Sequence, residues 1–350
     1  MTRYGFQRFL PVFVLLLLFM TACSTSGGNL GNNTTPTPAQ KSTQAPTGTT
    51  GTPTQDDTCP IPGFDSSSGT CLTPHQYRLA YGVESLIEHG YTGTGQTVVD
   101  VVSFGSPTLQ QDMNIFDQQF GLPPVNLQVI SPLNEPVYDP YHQRGGWAGE
   151  TELDVQIIHA IAPGAKIVVL TSPVAETEGT VGLPEFLKLE QYALAHYPGS
   201  IVSQSWGASE VSLKDAAGQQ EIQKWNTFFQ QATTQGHITF FGSSGDNGAT
   251  DYIDQQATKL SPVATTSFPA DSPWITSVGG THIITDGITV HESAWSCGSG
   301  SQCSGGGFSS FFPEPSYQQT LPASVQGQIN HRRGVPDVAG AADPSTGLAL

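Results

Sequence analysis

From Leu72 onward, short apolar runs alternate with longer segments whose apolar residues recur at helical spacing. The short runs are rich in Val and Ile and lack polar alternation, which is typical of strands buried on both faces. The pattern predicts strands at Thr97–Val102, Lys166–Leu170, Ile201–Ser205 and His237–Phe241, and helices at Leu109–Phe120, Trp147–Ala162, Leu183–Tyr197 and Asp215–Thr234. This order predicts an α/β domain with a parallel sheet and helices on both faces. Functional residues are then expected in the loops that follow the carboxyl ends of strands.

The amino-terminal segment has a different pattern. Arg3 and Arg8 precede an apolar stretch, Leu10–Phe19, which is too short to span a bilayer. Small residues then lead to Cys23, as in a bacterial lipobox, where the cysteine is acylated and becomes the mature terminus. We therefore predict a lipoprotein signal peptide at residues 1–22, with an ordinary signal peptide and a chance cysteine as the alternative.

Residues 23–58 are mostly Thr, Pro, Gly, Ser, Asn and Gln. Such a segment cannot bury a core, so we predict a disordered linker there and a globular domain at residues 59–350. The linker and signal together predict a location on the extracellular face of a bacterial membrane, held by the lipid, or a secreted protein.

Charge narrows the range of partners. The 350 residues include 12 basic and 29 acidic side chains, which gives a formal net charge of −17. Nucleic acid is therefore an unsuitable ligand, because binding it requires a basic surface. We expect a monomer that contacts the membrane only through its amino-terminal lipid.

The remaining cysteines form two pairs that are close in sequence, Cys59 with Cys71 and Cys297 with Cys303. In an exported protein such pairs predict two local disulfides. Zinc binding is the alternative, but no histidine lies at ligand spacing near either pair. The sequence therefore predicts no metal site at these cysteines.

Two acids on the predicted helix Trp147–Ala162 are candidates for catalysis. Glu150 and Asp154 are four residues apart and share the side of the helix that its isoleucines make apolar, whereas Glu152 points away. Two buried carboxylates repel each other, and a single proton shared between them removes that repulsion. A solvated acidic helix face is the alternative interpretation.

Two strand ends carry further candidates. The segment Ser243-Ser244-Gly245-Asp246 follows an apolar strand, and its glycine allows a tight turn close to a ligand. The segment Ser205-Trp206-Gly207 ends another strand. An ordinary turn aspartate and a buried tryptophan are the respective alternatives.

Taken in order, several motifs resemble the sedolisin family of serine-carboxyl peptidases, from about Leu72 to Leu350. The motifs are Gly93-Thr94-Gly95-Gln96, Glu150-x-x-x-Asp154, Ile161-Ala162-Pro163-Gly164-Ala165, Ser244-Gly245-Asp246, Val278-Gly279-Gly280-Thr281, Gly305-Gly306-Gly307-Phe308-Ser309 and Val335-Pro336-Asp337-Val338. The resemblance implies a subtilisin-like α/β fold, here C-terminally incomplete, and a Ser-Glu-Asp endopeptidase that acts on proteins or peptides in acid. A His-based triad is not expected, because no histidine lies on a matching motif.

The resemblance also implies roles for individual residues. Glu150 would be the general base, Asp154 would hold its proton, and a protonated Asp246 would donate to the oxyanion. A substrate would lie beside Ser205, Trp206 and Gly207. Ser243, Ser244 and Gly245 would form a wall of the first side-chain pocket.

The sequence departs from the family's pattern at several points. It contains no Gly-Thr-Ser, the family's nucleophile motif, and we expect no large prodomain before Leu72. The family's calcium site is expected beyond Leu350, so no cofactor is predicted within these residues. An acid that supports the Glu-Asp pair in many members aligns with Val102, and Asp100 is a possible substitute. We therefore expect these residues alone to be inactive, and a non-catalytic, peptide-binding pseudo-peptidase is the alternative function.

Overall fold

The computed structural model describes residues 70–176, 178–285, 290–298 and 302–350. Its strands are β1 Thr70–Leu72, β2 Thr97–Ser103, β3 Asn126–Ile130, β4 Lys166–Ser172, β5 Ile201–Gln204, β6 Ala208–Ser209, β7 Thr239–Ser243, β8 Ser267–Phe268, β9 Ile275–Thr285, β10 Val290–Ala294, β11 Gly307–Pro313, β12 Arg332–Val335, β13 Val338–Ala341 and β14 Thr346–Leu348. Its α-helices are α1 Pro74–Ala80, α2 Glu84–Glu88, α3 Leu109–Phe120, α4 Arg144–Ile161, α5 Leu183–His196, α6 Ala216–Thr234 and α7 Ala323–Ile329, and a 3-10 helix occupies Glu210–Leu213.

The described residues form a central sheet with the strand order β10-β9-β7-β5-β2-β4-β3, and β13 also pairs with β9. All of these pairs are parallel except β9 with β10. Parallel strands need crossover helices, which cover both faces of the sheet and explain the continuous apolar runs of β2 and β4. The predicted α/β fold is confirmed.

Two apolar layers enclose the sheet. One face packs against α5 and α6 through side chains that include Phe186, Trp225 and Phe229. The other face packs against α3 and α4 through Met113 and Ile158, among others. Alternate residues of β2 contribute to the two layers, so the strand is buried on both sides.

Most predicted elements lie close to their observed bounds. Helix α4 begins three residues earlier than predicted, at Arg144, and β7 is shifted by two residues at both ends. The strand was expected to begin at His237 and to end before Gly242. His237 instead has φ 54°, a left-handed conformation that cannot belong to a strand. The strand therefore starts two residues later and includes Gly242 and Ser243, which moves the functional turn to Ser244-Gly245-Asp246.

The predicted signal peptide, the linker, Cys23 and Cys59 lie outside the described residues. Among the helices that are described, none has the length and apolar character needed to cross a membrane.

Candidate active site

Helix α4 holds the two predicted acids against the sheet. Glu150 and Asp154 lie one turn apart, and their exposed fractions are only 7% and 3%. The alternative of a solvated acidic face is therefore wrong for this pair. Glu152 lies on another side of α4, toward Ser106 and Asp112 near the start of α3.

The side chain of Ser205 is directed at these acids. Its hydroxyl donates a hydrogen bond of 2.7 Å to Oδ1 of Asp154 and also bonds to Glu150. Ser205 is completely buried, since the residue directly follows β5 in the middle of the sheet. The hydroxyl of Ser205 therefore joins Glu150 and Asp154. The substrate-binding role of Ser205 stays a prediction.

A third carboxyl group completes the cluster. Asp100 lies in the centre of β2, on the face that α4 covers, and is 0% exposed. Its carboxyl group contacts that of Asp154, and within the described chain no N–H or hydroxyl donor reaches either of its oxygens. Two carboxyl groups in contact attract each other only when one carries a proton. Burial and the neighbouring Asp154 therefore both favour the uncharged form of Asp100.

Burial changes the acidity of all three groups. The pKa of Glu150 is raised well above its usual value by burial, and next by the negative charges of Asp154, Asp246 and Asp100. Burial also raises the pKa of Asp154, although hydrogen bonds from Ser205 and Asp100 oppose the shift. The pKa of Asp100 rises through burial and through the charge of Asp154. The three groups are coupled, so the cluster as a whole keeps a proton at a pH where solvated carboxyl groups would all be ionised.

Asp246 faces the same group of acids from a different element. It lies in the turn after β7, is 8% exposed, and its charge contributes to the raised pKa of Glu150. The preceding Gly245 has φ +98°, which L side chains rarely adopt, so the turn requires glycine at this position. Helix α4 and the β7 turn thus bring Glu150 and Asp246 together, although they are far apart in sequence.

A disulfide stabilises the turn that carries Asp246. Cys297 and Cys303 are bonded to each other, as predicted. The backbone N–H of Cys303 donates to the carbonyl of Asp246 at 2.8 Å. A Cβ atom placed on Gly248 would lie 3.0 Å from the sulfur of Cys303, so the turn packs tightly against the disulfide. The role of this disulfide was not expected from the sequence.

Cys71 is also disulfide-bonded. Its predicted partner, Cys59, lies outside the described residues, so that pairing stays a prediction.

Three other residues that were predicted to bind substrate make contacts within the domain. Trp206 is 2% exposed, and its ring centroid lies 4.7 Å from that of Phe186. The hydroxyl of Ser244 donates to the carbonyl of Gly305 at 2.7 Å. The backbone of Gly207 packs against β8, where an added Cβ would lie 3.1 Å from the carbonyl of Phe268. A substrate role for Trp206 and Ser244 would therefore belong to their backbone rather than to their side chains.

Across residues 70–350, apart from the short gaps in that range, no group of three or more His, Cys, Asp or Glu side chains could hold a metal ion.

The sequence is similar to those of several known proteins. No protein-family profile matches the sequence. It is 32% identical to kumamolisin of Bacillus sp. (strain MN-32) over 291 residues, which are 81% of this chain and 48% of kumamolisin. It is 28% identical to human tripeptidyl-peptidase 1 over 288 residues, covering 78% of this chain and 46% of that protein. The chain thus spans about half the length of the curated relatives it matches.

The fold is similar to that of a solved peptidase. Pseudomonas sedolisin, a serine-carboxyl proteinase, superposes with a TM-score of 0.63 and 26% identity, over 80% of this chain and 73% of the other. The chain belongs to the sedolisin family of serine-carboxyl peptidases.

Proposed function

We propose that this domain provides the carboxyl groups of an acid-acting endopeptidase site of the Ser-Glu-Asp type. The observation that carries the proposal is a buried cluster of acids. Ser205 joins Glu150 to Asp154, Asp100 lies against Asp154, and Asp246 lies near Glu150. Structural acids are normally solvated or paired with a cation, because an isolated buried charge is costly. Four acids in one buried region fit a site that stores and transfers protons.

In the proposed reaction, Glu150 accepts the proton of an attacking serine hydroxyl and later returns it to the leaving amine. Asp154 orients Glu150 and shares its charge, and Ser205 keeps Asp154 in position. Asp246 in its protonated form donates a hydrogen bond to the oxygen that becomes negative in the tetrahedral intermediate. Because Asp246 has to hold a proton, the proposed activity requires acid conditions.

The proposed substrates are unfolded proteins or peptides. An extended peptide would lie beside Ser205-Trp206-Gly207 and pair with its backbone. Ser243, Ser244 and Gly245 would form one wall of the pocket for the first side chain. The 350 residues contain no Gly-Thr-Ser, so none of their serines matches the family's nucleophile motif. A non-catalytic peptide-binding lipoprotein therefore stays the second candidate.

The test uses the protein as its gene encodes it, including any residues beyond these 350. Hydrolysis of an acid-denatured protein substrate is followed from pH 3 to pH 8 by the release of new amino termini. We expect Glu150→Gln to reduce hydrolysis by at least about a hundredfold, as is usual for loss of a general base. Glu152→Gln is the matched control on the same helix and should leave the rate unchanged. Peptide binding without hydrolysis in the unaltered protein would favour the second candidate.

We also propose that the protein is exported and anchored by a lipid on Cys23. The proposal depends on the apolar stretch and on the small residues before that cysteine. Mass spectrometry of the mature amino terminus tests it. An acylated Cys23 would support the anchor, and a free amino terminus at another residue would exclude it.

A further inference from the structure

A second pair of buried acids lies outside the candidate active site. Glu210, at the start of the 3-10 helix, is 1% exposed and holds β11 through several hydrogen bonds. It accepts the N–H of Ser310 at 2.6 Å, the hydroxyl of Ser310 at 2.5 Å and the N–H of Phe311 at 3.4 Å. The hydroxyl of Ser309 also donates to it. These donors reach both carboxyl oxygens of Glu210, which therefore acts as a hydrogen-bond acceptor toward β11.

Asp271 is the other member and is 0% exposed. Its Oδ2 accepts a hydrogen bond of 2.8 Å from the hydroxyl of Thr266. Its carboxyl group contacts that of Glu210, and within the described residues no N–H or hydroxyl reaches its Oδ1. The two groups can remain in contact only if Asp271 is protonated and donates to Glu210.

The positive charge that faces Asp271 is on Arg333 of β12, the other charged group in its surroundings. The Arg333 guanidinium is bonded to the carboxylate of Asp337 and donates to the carbonyl of Gly334 at 2.6 Å. Its effect on Asp271 is smaller than the effects of burial and of Glu210, which together raise the pKa of Asp271 well above its usual value. The positive charge of Arg333 is therefore too weak an influence to keep Asp271 ionised beside Glu210.

This pair is connected to the turn that carries Asp246. The strand β11 begins two residues after Gly305. The N–H of Gly305 donates to the carbonyl of Gly245 at 2.5 Å, and its carbonyl accepts the hydroxyl of Ser244 at 2.7 Å. A displacement of β11 is therefore transmitted to the residues that immediately precede Asp246.

We propose that Glu210 and Asp271 share one proton and act as an acid-stabilised brace, which holds β11 and the Asp246 turn in place and is released when that proton is lost. Loss of the proton would leave two negative charges in contact, and both are buried. The folded state raises the affinity of Asp271 for its proton, so the stabilisation is fully present below the pKa of the unfolded chain. The stabilisation is lost as the pH rises through the raised pKa of Asp271 in the folded state. This role does not depend on the proposed peptidase activity.

Hydrogen exchange of the Ser310 and Phe311 amides tests the brace directly, since both amides donate to Glu210. Protection factors, corrected for intrinsic exchange, are measured in the protein at pH 5 and pH 8. We expect the protection of both amides to fall by at least about tenfold between these values, which corresponds to one pKa unit. Amides of β2, such as that of Val99, should keep their protection.

Asp271→Asn decides between the brace and an ordinary structural contact. The amide of Asn donates to Glu210 without a titrating proton, so Ser310 and Phe311 should stay protected at pH 8. Glu190→Gln is the control, because Glu190 is a buried acid bonded to Gln204 elsewhere in the domain. Protection that is independent of pH in the unaltered protein, or that falls equally in Asp271→Asn, would overturn the proposal.

If Asp271→Asn fails to fold, the unaltered protein still provides a test. Carbon-13 NMR of the carboxyl groups counts the protons that the pair holds. We expect one proton shared between Glu210 and Asp271 at pH 6. Two ionised carboxylates at that pH would overturn the brace.

Discussion

The hydroxyl of Ser205 donates to Oδ1 of Asp154 at 2.7 Å in a region that excludes water. Ser205→Ala should leave that carboxylate oxygen without its hydroxyl donor. We expect a loss of about 1–3 kcal/mol in the free energy of unfolding, the usual cost of an unsatisfied buried group. Ser200→Ala is the matched control, because Ser200 is also buried but its hydroxyl makes no hydrogen bond within the described structure.

Equilibrium unfolding in urea at pH 7 measures both serine variants. We expect Ser205→Ala to be clearly less stable than Ser200→Ala. Equal midpoints and slopes would show that the Ser205–Asp154 bond contributes nothing to stability.

Asp100 should make the stability of the domain depend on pH. Its pKa is raised by burial and by Asp154, so its contribution is fully present below the pKa of the unfolded chain and is lost as pH rises through the raised value. Asp100→Asn keeps a donor to Asp154 but has no proton to lose. We therefore expect the decrease in stability between pH 4 and pH 8 to be smaller in this variant.

Urea midpoints measured across that range test the Asp100 prediction. Glu88→Gln is the control, because Glu88 is exposed on α2 and removal of its charge should leave the pH dependence unchanged. A pH dependence that is identical in Asp100→Asn and the unaltered protein would show that Asp100 does not share a proton in the folded state.

The Cys297–Cys303 disulfide should stabilise the Asp246 turn. Replacing both cysteines by serine removes a short cross-link, which costs about 2 kcal/mol in the chain-entropy view. The Cys303 amide donates to the carbonyl of Asp246, so its hydrogen exchange should accelerate in the variant. Unchanged exchange at Cys303 would mean that other contacts hold the turn.

The buried strands and helices could be predicted from the sequence because their apolar residues form recognisable patterns, short continuous runs in the strands and helical spacing in the helices. The helix α3 has the predicted bounds, Leu109–Phe120. The edge strands β3 and β10 were not predicted, since they are largely exposed and carry polar residues that leave no such signal. The β7 boundary was shifted because the left-handed backbone of His237 cannot be identified from composition.

The candidate site was predictable where a local motif specifies it. The four-residue spacing of Glu150 and Asp154 places both on one helix face, and the structure buries them there. Ser205 was identified as a residue at a strand end, but its bond to Asp154 depends on how β5 and α4 pack. The sequence did contain a signal for Asp100, because a single aspartate inside an otherwise apolar strand would be buried and would need a polar partner.

The central claim is that buried carboxyl groups and a protonated Asp246 carry out peptide hydrolysis, and the dependence of kcat/KM on pH tests it most directly. The protein as its gene encodes it is assayed on one peptide from pH 3 to pH 9, beside Asp246→Asn and Glu150→Gln. The account predicts a maximum below neutral pH, because Asp246 loses its proton on the alkaline side. Asp246→Asn should extend activity to higher pH, and Glu150→Gln should abolish it. A maximum above neutral pH that is unaffected by Glu150→Gln would contradict the account.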